Sequence, residues 1–207
     1  MKITCEDQTV VDIEIPNHLS HIGVMLSGGM DSSLMLFLIL KEMLNLEKTV
    51  TLTVFNVPRH NSKTQSRKIV NFLEKEFNTS INLTHIGDVT LPHNKIINVP
   101  VGYILDNKLV ERVYSGINQN PPFEFPNVIA PKRKPPDLVI PDNLSFPFIR
   151  LYKTHILEIY KKFNILRLAD LTQSCEGHIN NIRCNTCFHC YERAWAYKEL
   201  NLVDNGE

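Results

Sequence analysis

The spacing of apolar residues changes period several times along the chain, and each change marks a new element. β-branched residues cluster at 2–5 and 10–15 on either side of Glu6-Asp7-Gln8, which predicts a short hairpin, and Pro16-Asn17-His18 then breaks the pattern. Residues 22–26 are a compact, largely apolar run, the mark of a buried core strand. The apolar stretch that follows predicts a helix over 31–45, and the β-rich run 50–57 predicts the next strand. Such a strand-helix-strand unit is expected to cross over right-handed. Ile69, Val70, Phe72, Leu73 and Phe77 recur at helical spacing within 64–77, and 80–86 reads as a third strand. Strands alternating with helices imply a parallel sheet covered on both faces.

The second half is less regular. Residues 99–109 fit either a helix or an extended piece, and 113–117 look like a fourth strand ending at Gly116-Ile117-Asn118. Residues 120–147 hold eight of the 12 prolines, which rules out a long helix and marks an irregular loop or flap. Helices are predicted over 154–163 and 191–200, with 166–171 leading into a cysteine-rich segment between them.

Composition narrows the class. At 207 residues and 43% hydrophobic, the chain can bury a sizeable core in one domain, or one domain with a small appendage. Lys plus Arg and Asp plus Glu are each 22, so no overall charge argues for nucleic acid or an acidic membrane. The N-terminal residues have no apolar signal core, and the run 34–40 is far too short to span a bilayer. A soluble, cytoplasmic protein is expected.

Two clusters carry chemistry. The first is Ser27-Gly28-Gly29-Met30-Asp31-Ser32-Ser33, at the junction of the first core strand and its helix. Glycine permits the sharp turn, and a helix N-terminus presents N–H groups and a positive dipole end to a phosphate. Asp31 suits either helix capping or a charged role in such a site. No Lys follows the glycines, so the string is not a Walker P-loop, and it is not GxGxxG. The second cluster holds four of the five cysteines: Cys175, Cys184, Cys187 and Cys190, spaced C-x8-C-x2-C-x2-C. Two-residue gaps let neighbouring thiolates point at one centre, and a more distant cysteine completes a tetrahedron. Zinc and an iron–sulfur cluster both suit this spacing, and zinc is preferred. A closed four-thiolate site would be structural, pinning the C-terminal segment to the sheet. His178 and His189 lie near enough in sequence to replace a thiolate.

The first string resembles SGGxDS, the pyrophosphate loop of the PP-loop ATP pyrophosphatases, which split ATP to AMP. Together with the cysteine spacing it resembles the 7-cyano-7-deazaguanine synthase (QueC) family. Ser115-Gly116-Ile117-Asn118, the run from Pro147 to Leu157, Thr172-Gln173-Ser174-Cys175 and Cys190-Tyr191-Glu192-Arg193-Ala194 follow the family's order, so the match spans about residues 20–200. Two family runs have no counterpart. Nothing before the fourth strand aligns with Pro-x-Arg-Asn, and residues 119–124 stand in place of Tyr-Pro-Asp-Cys-Arg.

The resemblance implies a Rossmann-like α/β nucleotide domain over 1–170 and a zinc-binding helical segment over 171–207. It implies an ATP-dependent ligase of the queuosine and 7-deazaguanine pathway that converts 7-carboxy-7-deazaguanine and ammonia to the nitrile, using Mg2+. Ser27, Gly28, Gly29, Met30, Asp31, Ser32, Ser33 and Asn118 are the implied nucleotide contacts. Asp31 and Lys153 are the implied catalytic pair, Lys153 as a cation beside the α-phosphate, with Arg150 a weaker candidate. A homodimer is also implied. Phe123 and Phe125 either stack on a planar heterocycle or anchor the proline-rich loop, and Lys132-Arg133-Lys134 reads as a solvated charge run. A related amide-forming or tRNA-modifying enzyme and a non-catalytic nucleotide-binding module stay open as alternatives.

Overall fold

The computed structural model describes residues 1–56, 62–87, 93–175 and 183–206, and of residues 62–63 and 93–97 it describes the backbone. The predicted hairpin is β1 (Lys2–Thr4) paired antiparallel with β2 (Val10–Asp12). Ile3 and Val11 point into the main core, which is why so short a hairpin holds. The main sheet contains β3 (His21–Leu26), β4 (Thr51–Asn56), β5 (Asn82–His85), β6 (Arg112–Tyr114) and β7 (Leu144–Ser145). Their order is β5-β4-β3-β6-β7, and every neighbouring pair is parallel. The prediction of a parallel sheet is borne out. The two-residue β7 is new, since a pairing that short leaves no periodicity to read.

Helices cover both faces. Ile22, Val24 and Leu26 of β3 and Val54 of β4 enter the larger core with α1 (Met30–Met43), α2 (Ser62–Phe77), α4 (Lys153–Lys162), α5 (Leu166–Asp170) and α6 (Phe188–Glu199). Met25 and Phe55, one residue out of phase, enter a smaller core with Ile104 of α3 (His93–Asp106) and Val113. Helix α1 is apolar round its whole circumference, and residues 32–40 are all buried, as suits a helix enclosed by others.

Residues 99–109, which fitted two conformations in sequence, lie mostly in α3. Pro100 sits inside this helix and removes one backbone donor, which blurs the helical signal there. Val57, the last residue of the predicted strand 50–57, lies outside the described residues. No helix among the described residues is long and apolar enough to cross a membrane.

The strand order positions the site. From β3 the chain continues to β4 on one side, while β6 lies on the other. The carboxyl ends of β3 and β6 therefore flank a point where the topology changes direction, the usual location for ligand sites in open parallel sheets.

Candidate active site

The turn 27–29 leaves the carboxyl end of β3 and enters α1. Gly28 has φ +84°, a conformation that L side chains rarely adopt, so glycine is required there. Helix α1 begins at Met30 with Gly29 as its N-cap, and no side chain caps it. Asp31, in the first turn, is therefore not the cap. Ser27 Oγ and Ser32 Oγ lie 3.1 Å apart, and the hydroxyls of Ser32 and Ser33 donate to the Gly29 carbonyl at 3.1 and 2.8 Å. The turn is thus braced by its own serines while the helix end stays open to an anion. Met30 differs from its neighbours. Its side chain is buried in the core and its carbonyl accepts from Tyr160 at 2.8 Å, so it has only its amide N–H to offer a nucleotide.

Residues 115–118 at the end of β6 approach this turn closely. A Cβ on Gly116 would lie 2.6 Å from the Asp31 carbonyl oxygen and 2.9 Å from the Ser32 nitrogen. Asn118 is buried, and its side-chain amide nitrogen has no hydrogen-bond partner among the described residues.

Lys153, the first residue of α4, reaches the turn from the other side. It is 1% exposed, and its Nζ donates to both carboxylate oxygens of Asp31 at 2.6 Å. The structure thus brings together the two residues expected to be catalytic, across 122 positions of sequence. Arg150, by contrast, is exposed to solvent.

Behind Lys153 lies a carboxylate that motif spacing missed. Glu192 of α6 is fully buried, 3.6 Å from Lys153 Nζ, and accepts two hydrogen bonds from the Arg133 guanidinium at 2.7 and 2.8 Å. Burial alone would push the Glu192 carboxyl up, but the Lys153 ammonium, a His189 hydrogen bond and Arg133 hold it well below the usual carboxylate range. The expectation of a solvated Lys132-Arg133-Lys134 run fails at Arg133, whose side chain is 11% exposed and also lies over the Phe188 ring. A bidentate carboxylate partner explains the burial.

The segment before Cys175 touches the turn 27–29 directly. The Gln173 N–H donates to the Gly28 carbonyl at 2.9 Å. Ser174 Oγ, a buried atom without a hydrogen-bond partner among the described residues, lies 3.7 Å from where a Cβ on Gly29 would stand. Sequence reading gave Ser174 no role. Its place in Thr-Gln-Ser-Cys, one residue before a thiolate, was the available signal.

The four expected metal ligands also converge. The Sγ atoms of Cys175, Cys184, Cys187 and Cys190 all lie within 4.8 Å of one another, with 3.5 Å between Cys175 and Cys184. Four thiolates around one tetrahedral ion with metal–sulfur bonds of about 2.3 Å stand about 3.8 Å apart, so the set fits a single metal ion. His189 is turned instead toward Glu192, 3.8 Å away, and His178 lies outside the described residues. Phe123 and Phe125 pack as an aromatic cluster with Trp195, Phe188 and Tyr191 of α6, so they anchor the proline-rich loop.

No protein-family model and no curated protein matches the sequence. The U34-tRNA thiolase NcsA from Methanococcus maripaludis, solved with its [4Fe-4S] cluster, superimposes with a TM-score of 0.50 at 13% identity, over 95% of this chain and 69% of that one. The fold is the PP-loop fold. NMN synthetase from Francisella tularensis has a TM-score of 0.49 at 12% identity, over 90% of this chain and 74% of that one. The NH3-dependent NAD synthetase from Campylobacter jejuni has a TM-score of 0.44 at 15% identity, over 74% of this chain and 68% of that one.

Proposed function

We propose that the protein is an ATP-dependent ligase that adenylates a carboxylate and passes it to ammonia, with 7-carboxy-7-deazaguanine as substrate and the 7-cyano compound as product. The observation that carries this is the meeting of an uncapped helix N-terminus, Asp31 and a buried lysine at the carboxyl ends of β3 and β6.

A carboxylate resists ammonia because its oxygen is a poor leaving group. Attack of that oxygen on the α-phosphorus of ATP forms the acyl-adenylate and releases pyrophosphate. Ammonia then displaces AMP to give the amide. A second ATP adenylates the amide oxygen, and loss of AMP with a proton leaves the nitrile. The chain must hold the phosphates and stabilise the charge that moves onto them. In this reading the backbone of 27–30 and the hydroxyls of Ser27, Ser32, Ser33 and Ser174 take the pyrophosphate. Lys153 takes the α-phosphate, and Asn118 hydrogen-bonds the base or ribose. Asp31, which accepts from Lys153 through both oxygens, would hold a Mg2+ ion, and that ion would supply neutralisation of the phosphate oxygens.

Residues 171–207 form the metal-binding segment in this account, and 1–170 the nucleotide domain. Zinc is the metal the donor set favours: four thiolates this close suit one ion, whereas a four-iron cluster with one iron per thiolate spreads the sulfurs apart. The resemblance adds a homodimer. A second reading, with another acceptor such as a tRNA base, is favoured by one observation. The segment 119–124, where the family carries Tyr-Pro-Asp-Cys-Arg, packs Phe123 against Trp195.

Incubation with Mg–ATP, ammonium and 7-carboxy-7-deazaguanine, followed by mass spectrometry, separates these readings. The nitrile with AMP supports the first. AMP without the nitrile removes the deazapurine substrate and keeps adenylation.

A further inference from the structure

Glu192 has no part in the chemistry above, yet it is among the most costly side chains to bury in the molecule. A carboxylate with no exposure needs cations close by. Arg133 supplies one through both oxygens, and Lys153 supplies the other at 3.6 Å. Lys153 is therefore shared between two carboxylates, one on the phosphate turn and one on α6. Glu192 stands two residues beyond Cys190 and five beyond Cys187, in a helix whose first turn is built on the Cys187 carbonyl. That carbonyl accepts from the N–H groups of Cys190 and Tyr191 at 3.0 and 3.2 Å.

We infer that Glu192 is a positioning residue: it holds Lys153 at the phosphate turn and ties the place of that lysine to the cysteine turn that starts α6. This rests on the ATP reading above. A lysine has a long flexible stem, and one anion does not fix its ammonium in space. A phosphate beside Lys153 and a Mg2+ ion held by Asp31 would each weaken the Asp31–Lys153 pair. Glu192 stays behind as a second anion on the far side, so Lys153 keeps its bearing on the turn instead of following Asp31. The Arg133 clamp fixes the Glu192 carboxylate, and the metal-bound turn fixes the backbone that carries it. A shift of that turn moves Glu192 and with it Lys153.

The test uses the full chain in its metal-loaded form. Dissociation constants for Mg–ATP are measured by calorimetry in wild type and Glu192→Gln, alongside metal content and Tm. The expected result is at least tenfold weaker Mg–ATP binding in Glu192→Gln, with metal content unchanged. Chelation should weaken Mg–ATP binding several-fold more in wild type than in the variant, because the coupling runs through the missing charge. Equal affinities in metal-loaded wild type and variant overturn the inference, as does an equal effect of chelation on both. If Glu192→Gln does not fold, Glu192→Asp takes its place. It keeps the charge but draws it back from Lys153, and should lose affinity to a smaller degree; wild-type affinity there overturns the inference. Wild type that binds no Mg–ATP fails before any substitution is made, and overturns the ATP reading itself.

Discussion

At the scale of single residues, the site depends on positions with no room to change. The atoms a Cβ on Gly116 would meet belong to the backbone of Asp31 and Ser32, which cannot turn aside as a side chain can. Gly116→Ala should therefore destabilise the fold by about 1–3 kcal/mol, as overpacking does, and weaken Mg–ATP binding in the same variant. A lowered Tm with unchanged affinity would detach Gly116 from the site. Lys153→Met keeps most of the volume and removes the charge. Turnover is expected to fall by about 10²–10³, the usual loss when one preorganised charge donor is removed, while Glu192 keeps Arg133 as partner. The loop serines, Asp31 and Lys153 were legible because a short string or a run around it marks each one. Glu192 and Arg133 were not. Each lies in a short run, but nothing in either run marks it for burial; they are 59 positions apart, and their burial follows from finding each other.

At the scale of elements, α6 connects three parts of the fold. Its N-cap is Cys187, its first turn carries Cys190, its middle carries Glu192, and Arg193 beside it donates to Thr172 Oγ1 at 2.7 Å and to Asp204 at 2.7 and 2.8 Å. Burial would raise the Asp204 carboxyl, but hydrogen bonds and charge from Arg193 and Arg183 outweigh it and bring it from 3.8 to about 2. A carboxyl depressed in the folded state stabilises fully above its unfolded value and loses that stabilisation as pH falls through its folded value. Asp204 should thus contribute about 2 kcal/mol at neutral pH, lost between about pH 4 and pH 2. Urea unfolding across that window should show a shallower pH dependence in Asp204→Asn than in wild type; parallel curves would contradict it. Removing the metal, or Cys187→Ser, should loosen the start of α6 and change the emission of Trp195, the one tryptophan in the chain. Unchanged emission with metal demonstrably lost would mean that the turn stands without it. Most elements were legible because their periods are clean. Helix α3 was ambiguous because Pro100 interrupts it, and β7 escaped because two residues held by pairing with β6 carry no period at all.

At the scale of the whole molecule, the strand order brings the turn 27–29, the end of β6, the start of α4 and the cysteine segment to the carboxyl end of the sheet. The Gln173–Gly28 hydrogen bond joins the two motifs that sequence reading found at opposite ends of the chain. Their motifs were legible separately, but their contact was not, since it depends on how α4 and α6 pack in the larger core. On the proposed function, this end of the sheet adenylates a carboxylate and releases pyrophosphate into the serine-braced turn. Exchange of labelled pyrophosphate into ATP, measured with Mg2+ and 7-carboxy-7-deazaguanine and without ammonia, tests it most directly. Exchange is expected to require the carboxylate and to be lost in Lys153→Met. Absence of exchange from folded, metal-loaded protein that turns ATP over to ADP would contradict it.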